Sequence, residues 1–263
     1  MTVAVPTRLS TSAPLLVSAA GAMIVALDGT VLLVAQPSLQ RAFAATPAQI
    51  QWTSTGYLVA VAALLVLAGR LGDRYGHRRV FAAGILGFGV TSAGIGLAPG
   101  VGWVIGLRVA QGVCGALLQP ATLGMLRAAY PPDRLGMPIA LRTSAIGLAA
   151  AAGPVVGGAL TDWLGWRAVF FLNVVPGLAT GLLALAVVRV PEPARVRGVR
   201  LDLTGALLLA VALVCLVQSL VGIPATGWTT ATTLGLAGAA AAGAAFVRHG
   251  RRGPNPLVPP SVL

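Results

Sequence analysis

Gly69-Arg70-Leu71-Gly72-Asp73-Arg74-Tyr75-Gly76-His77-Arg78-Arg79 stands between two apolar runs, at about 51–70 and 80–98. Each flank has the roughly 20 mostly apolar residues that cross a bilayer. The stretch between them reads as a short loop. Its glycines let the chain turn between two helices. Asp73 and the arginines beside it can form a charge network at the membrane face, where water competes less than in bulk.

Further apolar runs extend the pattern to eight, at about 14–36, 51–70, 80–98, 102–126, 138–160, 168–188, 203–222 and 229–247. Composition agrees with them. The chain has 263 residues, 57% hydrophobic and 9% charged. Soluble domains carry about 25% charged residues, and a soluble fold could not hide this much apolar surface. The fold class is therefore an all-α membrane protein of about eight transmembrane helices.

The net charge is +12, and all 18 basic residues are Arg. Nucleic-acid binders gather basic residues on one exposed face. Here the arginines fall in the gaps between apolar runs, so no nucleic-acid partner is expected; the bilayer is. With the N-terminus inside, the inner segments hold 15 of the 18 arginines, Arg142 among them. Arg41 and Arg167 fall outside, and Arg108 lies within the fourth run. This asymmetry places both termini in the cytoplasm of a multi-pass plasma-membrane (cell inner membrane) protein. The run from Pro14 to Val34 is long for a signal peptide, carries Asp28, and reads as a retained first helix.

Catalytic and metal chemistry find no support. Cys114 and Cys215 lie inside apolar runs without ligand spacing. His77 and His249 sit in Arg-rich segments with no nucleophile–base set. Gly84, Gly87 and Gly89 follow no strand, so they are no phosphate loop. The chain is not expected to be an enzyme.

The stretch 69–79 resembles the G-x-L-x-D-R-x-G-R-[RK]-[RK] loop of the major facilitator superfamily, with His77 where Arg is usual. Further segments resemble its drug:proton antiporters of the fourteen-helix type. In the first run Leu27-Asp28-Gly29-Thr30-Val31-Leu32-Leu33-Val34-Ala35-Gln36-Pro37 is similar to L-D-x-T-[IV]-V-N-V-A-L-P, with Leu33 and Gln36 departing. In the fourth, Arg108-Val109-Ala110-Gln111-Gly112-Val113-Cys114-Gly115-Ala116 resembles R-x-x-Q-G-x-G-A-A, with Cys114 at one Gly position. In the fifth, Ala149 followed by Gly153-Pro154-Val155-Val156-Gly157-Gly158 resembles the antiporter signature G-x-x-x-G-P-x-x-G-G. Gly165-Trp166-Arg167 and Asn173-Val174-Val175-Pro176 resemble the opening of the sixth helix, with Val175 as an extra residue. Leu201-Asp202-Leu203-Thr204-Gly205 and Asn255-Pro256-Leu257 resemble segments of the fourteen-helix branch.

An Arg inside a span costs at least about 2.5–3.5 kcal/mol near the centre. At ~1.5 Å per residue, Asp28 lies about 12 Å and Arg108 about 9 Å from the outer end of their runs. Opposite charges at similar depth can pair if the helices adjoin. The resemblance implies a proton-coupling role for Asp28 and Arg108; a static ion pair that orients two helices is the alternative. It implies a gating role for Gly69, Asp73, Arg74, Gly76, Arg78 and Arg79. It implies that Asp73 and the fifth-helix motif, Gly153, Pro154, Gly157 and Gly158, face a second six-helix half.

The resemblance divides the chain at 1–189, a six-helix half built as a 3+3 inverted repeat; 190–202, a cytoplasmic linker; 203–249, an extra helix pair; and 250–263, a cytoplasmic segment. On this reading the chain stops before the C-terminal half. The implied function is proton-coupled export of drug-like or amphipathic small molecules, with no cofactor beyond the proton gradient. The alternative is a transport-inactive truncated fragment, or a membrane scaffold needing a separate second half. Substrate-binding residues are not legible.

Overall fold

The computed structural model describes residues 8–188 and 202–252. The expected linker, with Arg189, Arg195, Arg197 and Arg200, and the end 253–263, with Asn255-Pro256-Leu257, lie outside the described residues.

The described chain is helical: α1 (Arg8–Phe43), α2 (Pro47–Tyr75), α3 (His77–Gly96), α4 (Val101–Ala129), α5 (Gly136–Leu164), α6 (Trp166–Phe171), α7 (Val174–Val187), α8 (Leu203–Thr226) and α9 (Thr230–Arg252). Eight stretches are long and apolar enough to cross a membrane, with α6 and α7 sharing one, Trp166–Ala186. The number of spans matches the eight apolar runs. Local chemistry sets their ends. Thr46 caps α2 in a reciprocal box: its backbone N–H donates to Gln49 Oε1 at 2.9 Å, and its hydroxyl accepts from the Gln49 N–H. Pro47 supplies the first helical φ without losing an intrahelical bond. The Asp202 carboxylate caps α8 by accepting from the Gly205 N–H at 2.8 Å.

Three expectations need correction. First, 69–79 is scarcely a loop. Residues to Tyr75 are the last turns of α2, and α3 begins at His77. The reversal is confined to Gly76, whose φ of 91° is open to glycine at little cost. Second, the sixth span is broken at Leu172–Asn173. Pro176 has no N–H to give the Leu172 carbonyl, so the ladder is interrupted there. Third, several helices outrun their apolar runs: α1 extends to Phe43 and α9 to Arg252. The polar ends remain helical because backbone hydrogen bonding, not side-chain polarity, decides whether a turn persists past the apolar region.

Packing crosses the two triplets of spans. α2 lies against α4 and α1 against α5, while α3 packs on both α4 and α7. The interior has two apolar clusters. Toward the Gly76 end, Phe81, Ile85, Phe88, Leu118 and Met125 pack together. Toward the other, Leu32, Leu39, Ile95, Val104 and Phe170 do. The extra turns of α1 lie in this second cluster with Ile50, Ala98 and Val101, so Asp28 sits near the middle of its helix rather than near one end. The α8–α9 hairpin leans on α2, where Ala206 and Phe246 meet Leu67. Exposed Leu16, Leu58, Trp103, Leu148 and Val155 make the outer surface apolar.

Candidate functional site

Between the two apolar clusters lies a belt of buried polar side chains: Asp28 on α1, Thr53 on α2, Ser92 on α3, Arg108 and Gln111 on α4, and Asn173 at the α6–α7 break. Buried polar groups in a membrane protein must find partners within the protein. Apart from the Thr53 hydroxyl, which donates to the Ile50 carbonyl, these find one another.

Arg108 is the centre. Its Nη1 donates to Asp28 Oδ2 at 2.6 Å, and both side chains are 1% exposed. Nη1 also donates to Gln111 Oε1. Its Nε donates to the Thr53 carbonyl at 2.9 Å, which tethers α4 to α2. The guanidinium carbon lies 4.4 Å from the centroid of the Tyr57 ring, a cation–π contact. Asp28 accepts twice more. Asn173 Nδ2 donates to Oδ1 at 2.7 Å and Gln111 Nε2 to the same oxygen at 3.4 Å. Gln111 Nε2 also donates to Ser92 Oγ at 2.6 Å. One carboxylate, one guanidinium and the Gln111 amide thus hold α1, α2, α3, α4 and the α6–α7 break together.

The two sequence-selected charges meet. Four of the groups that brace them were not selected: Thr53, Ser92, Gln111 and Asn173. Ser92, Gln111 and Asn173 share a signal, an uncharged polar residue inside an apolar run, whereas Thr53 acts through its backbone carbonyl, which no side chain announces. Asn173 also needs the helix break. An intact helix through 172–173 would give it a different orientation relative to α1.

The fifth-helix motif is placed differently from the expectation. Gly153 and Gly157 are buried against α1 of the same chain, not turned toward a second half. A Cβ on Gly153 would strike the Thr30 hydroxyl, and one on Gly157 would meet Val31 Cγ1 at 3.0 Å. The G-x-x-x-G spacing lets two backbones approach closely, and here the approaching helix is α1. Pro154 is exposed and Gly158 half-buried.

In the stretch around Gly76, His77 Nε2 lies 3.4 Å from Asp73 Oδ1. The His77 ring fits against Gly72 and Gly124, where a Cβ on either would collide with it. Arg78 Nη1 donates to the Val188 carbonyl at 3.2 Å, capping the end of α7. Arg74 lies over the Tyr75 ring at 5.2 Å. An open groove of about 580 Å³ runs past Gly69, Asp73, His77, Pro120, Gly124 and Arg127.

Arg142, expected among the inner-segment arginines, lies inside α5 and is buried. The helix starts at Gly136, so this residue already belongs to the span.

The profile described as Major Facilitator Superfamily matches residues 18–248. The chain is 45% identical over 246 residues to the tetracenomycin C resistance and export protein of Streptomyces glaucescens, covering 93% of this chain and 46% of that protein. It is 33% identical to a multidrug resistance protein of Mycobacterium tuberculosis, covering 93% of this chain and 45% of that protein. The chain spans about half the length of the curated relatives it matches. Among solved structures, a bacterial homologue of the lysosomal transporter Spinster, inward-facing and unoccupied, superposes with a TM-score of 0.63 at 20% identity. That match covers 92% of this chain and 62% of the other.

Proposed function

Because this chain belongs to the Major Facilitator Superfamily, a family of multi-pass membrane transporters rather than enzymes, we propose that it forms the first six-helix half and an extra helix pair of a proton-coupled exporter of drug-like small molecules. The observation that carries this reading is the Asp28–Arg108 pair, buried within the spans and tied to five elements. A buried ion pair alone is weak evidence of stability, because desolvation offsets its attraction. A pair whose carboxylate can accept a proton is a switch. A proton on Asp28 cancels its charge, and Arg108 then holds to Gln111, the Thr53 carbonyl and Tyr57. The links from Asp28 to α4 and to Asn173 weaken, which frees α1 to shift against them. That is a local charge change biasing a packing arrangement.

Export of drug-like molecules is supported by the names of the relatives. Alternating access in this family takes two six-helix halves rocking about a midplane site, and this chain supplies one. Transport therefore belongs to an assembly that includes a second half. The same observation favours a second reading, in which the chain alone is a transport-inactive scaffold. We place the Gly76 end of the bundle and both termini in the cytoplasm on the arginine distribution, and assign the groove around Asp73 and His77 to gating between halves.

The test is proton-driven efflux of a fluorescent drug from cells expressing the complete transporter. Asp28→Asn is expected to abolish accumulation-opposing efflux while the protein still reaches the membrane. Efflux at the unmodified rate in that variant overturns the coupling role. Efflux by cells expressing the 263-residue chain alone would remove the need for a second half. Reporter fusions at each terminus, one active only in the cytoplasm and one only outside, test the orientation.

A further inference from the structure

Among the described residues, the charged residues buried as a whole are Asp28, Arg108 and Arg142. The first two neutralise each other. Arg142 is different. It is 6% exposed, its Nη2 donates to Gln119 Oε1 on α4 at 3.3 Å, and its Nε is buried without a hydrogen-bond partner. No carboxylate among the described residues lies within ion-pair distance of it. A guanidinium keeps its charge in proteins. A charge inside a span is retained where it faces a partner or a water-filled cavity.

Its surroundings indicate which. Arg142 shares the buried stripe of α5 with Ala149, Gly153 and Gly157, so it is turned toward the bundle rather than away from it. α4 and α5 touch little elsewhere, and the Arg142–Gln119 bond bridges them. Gln119, Thr143 and Ser144 beside it are exposed. Ser and Thr hydroxyls can bond carbonyls of their own helix, but the exposed Gln119 amide on an apolar helix marks a surface that meets water or a polar ligand, since lipid would leave its donors unpaired. An uncompensated guanidinium at such a surface selects for an anion, and its planar donor fork matches a carboxylate.

We propose that Arg142, assisted by Gln119, is a binding site for an anionic group, an ionised carboxylate or phenolate, of the transported molecule. The proposal rests on reading the chain as part of an exporter. It is tested at equilibrium without a proton gradient, so its failure and a failure of efflux are separate results. A carboxylate of the second half could supply the same chemistry, and the test separates the two sources.

The probes are 2-naphthoate and its neutral isostere 2-naphthamide. Binding is measured by equilibrium dialysis of the purified chain, and of the complete transporter, in nanodiscs, with empty nanodiscs subtracted. The expected result for both proteins is at least about tenfold tighter binding of the anion, the scale of a hydrogen bond to a charged group. Arg142→Gln should remove the preference. Gln119→Glu should remove it too, by placing an internal carboxylate beside the guanidinium; this variant satisfies Arg142 and is expected to fold at least as well as the parent. Equal binding of the two probes by the parent chain overturns the proposal, whether or not any variant folds. So does an anion preference that survives Gln119→Glu. A preference present in the chain and absent from the complete transporter assigns Arg142 to a carboxylate of the second half, which also overturns it.

Discussion

Asp28→Asn should destabilise the protein strongly, and Arg108→Gln added to it should restore part of the loss. The Asn side chain keeps the shape of the carboxylate but removes its charge. Arg108, 1% exposed, then carries a positive charge with no counter-ion within reach. Removing one partner of a buried pair costs about 3–5 kcal/mol. At about 2–4 °C per kcal/mol for a domain of this size, the melting temperature should fall by roughly 6–20 °C. Asn173 adds to the cost, because the oxygen that accepts its 2.7 Å bond can become the amide nitrogen, or must compete with Arg108 for the one remaining acceptor. In the double variant the uncompensated charge is gone. Gln at 108 can still bond the Asn amide, so the double variant should melt above Asp28→Asn alone. The assay is thermal unfolding in detergent, followed by tryptophan fluorescence, for the parent, both single variants and the double. If the two single losses simply add in the double, the residues do not act as a coupled pair, and the account of the polar belt is wrong.

Three further outcomes follow from the geometry. Gly153→Val should lower the melting temperature, because its Cβ enters the space of the Thr30 side chain; overpacking of this kind costs about 1–3 kcal/mol. Gly102→Val, with nothing within 4 Å of the added Cβ, is the control and should melt like the parent. Asn173→Leu removes a donor to a buried carboxylate and should cost about 1.5–3 kcal/mol by denaturation in the same detergent; an unchanged stability would mean that the α6–α7 break does not serve Asp28. His77→Arg moves the sequence toward the more usual motif, yet should be destabilising by about 1–3 kcal/mol. The space between Gly72 and Gly124 holds a flat ring, and a longer side chain must leave it. A more stable His77→Arg protein would show that the site is not shaped for histidine.

How much of the candidate site could be read in advance depended on the residue. Asp28 and Arg108 stood out because a charge in an apolar run is costly anywhere in a bilayer, whatever the fold. Ser92 and Gln111 did not, because neutral polar residues are common in membrane helices, and the Thr53 contact is made by a backbone carbonyl that any residue would supply. Gly153 and Gly157 are visible as a close-approach motif, but the family resemblance turns them toward a second half, whereas the structure seats them against α1. Arg142 stands within the fifth apolar run yet groups with the inner-segment arginines, because position along the chain does not tell whether an arginine just past a helix start serves the membrane face or the bundle interior.

The amino-acid sequence alone determined that this protein lives in a bilayer, which of its stretches are long and apolar enough to cross it, and which align with a transporter family. Those properties follow from solvent preference and local spacing, which each segment carries by itself. Tertiary structure alone decided what the Gly69–Arg79 stretch becomes: two helix ends meeting at a single glycine, with His77 seated between Gly72 and Gly124. It decided that residues 80 and 145 positions apart converge on one carboxylate. Membrane helices are apolar nearly all round, so their sequences say little about which faces meet. Close packing and the need to satisfy every buried polar group make that choice, and both act only once the helices are side by side.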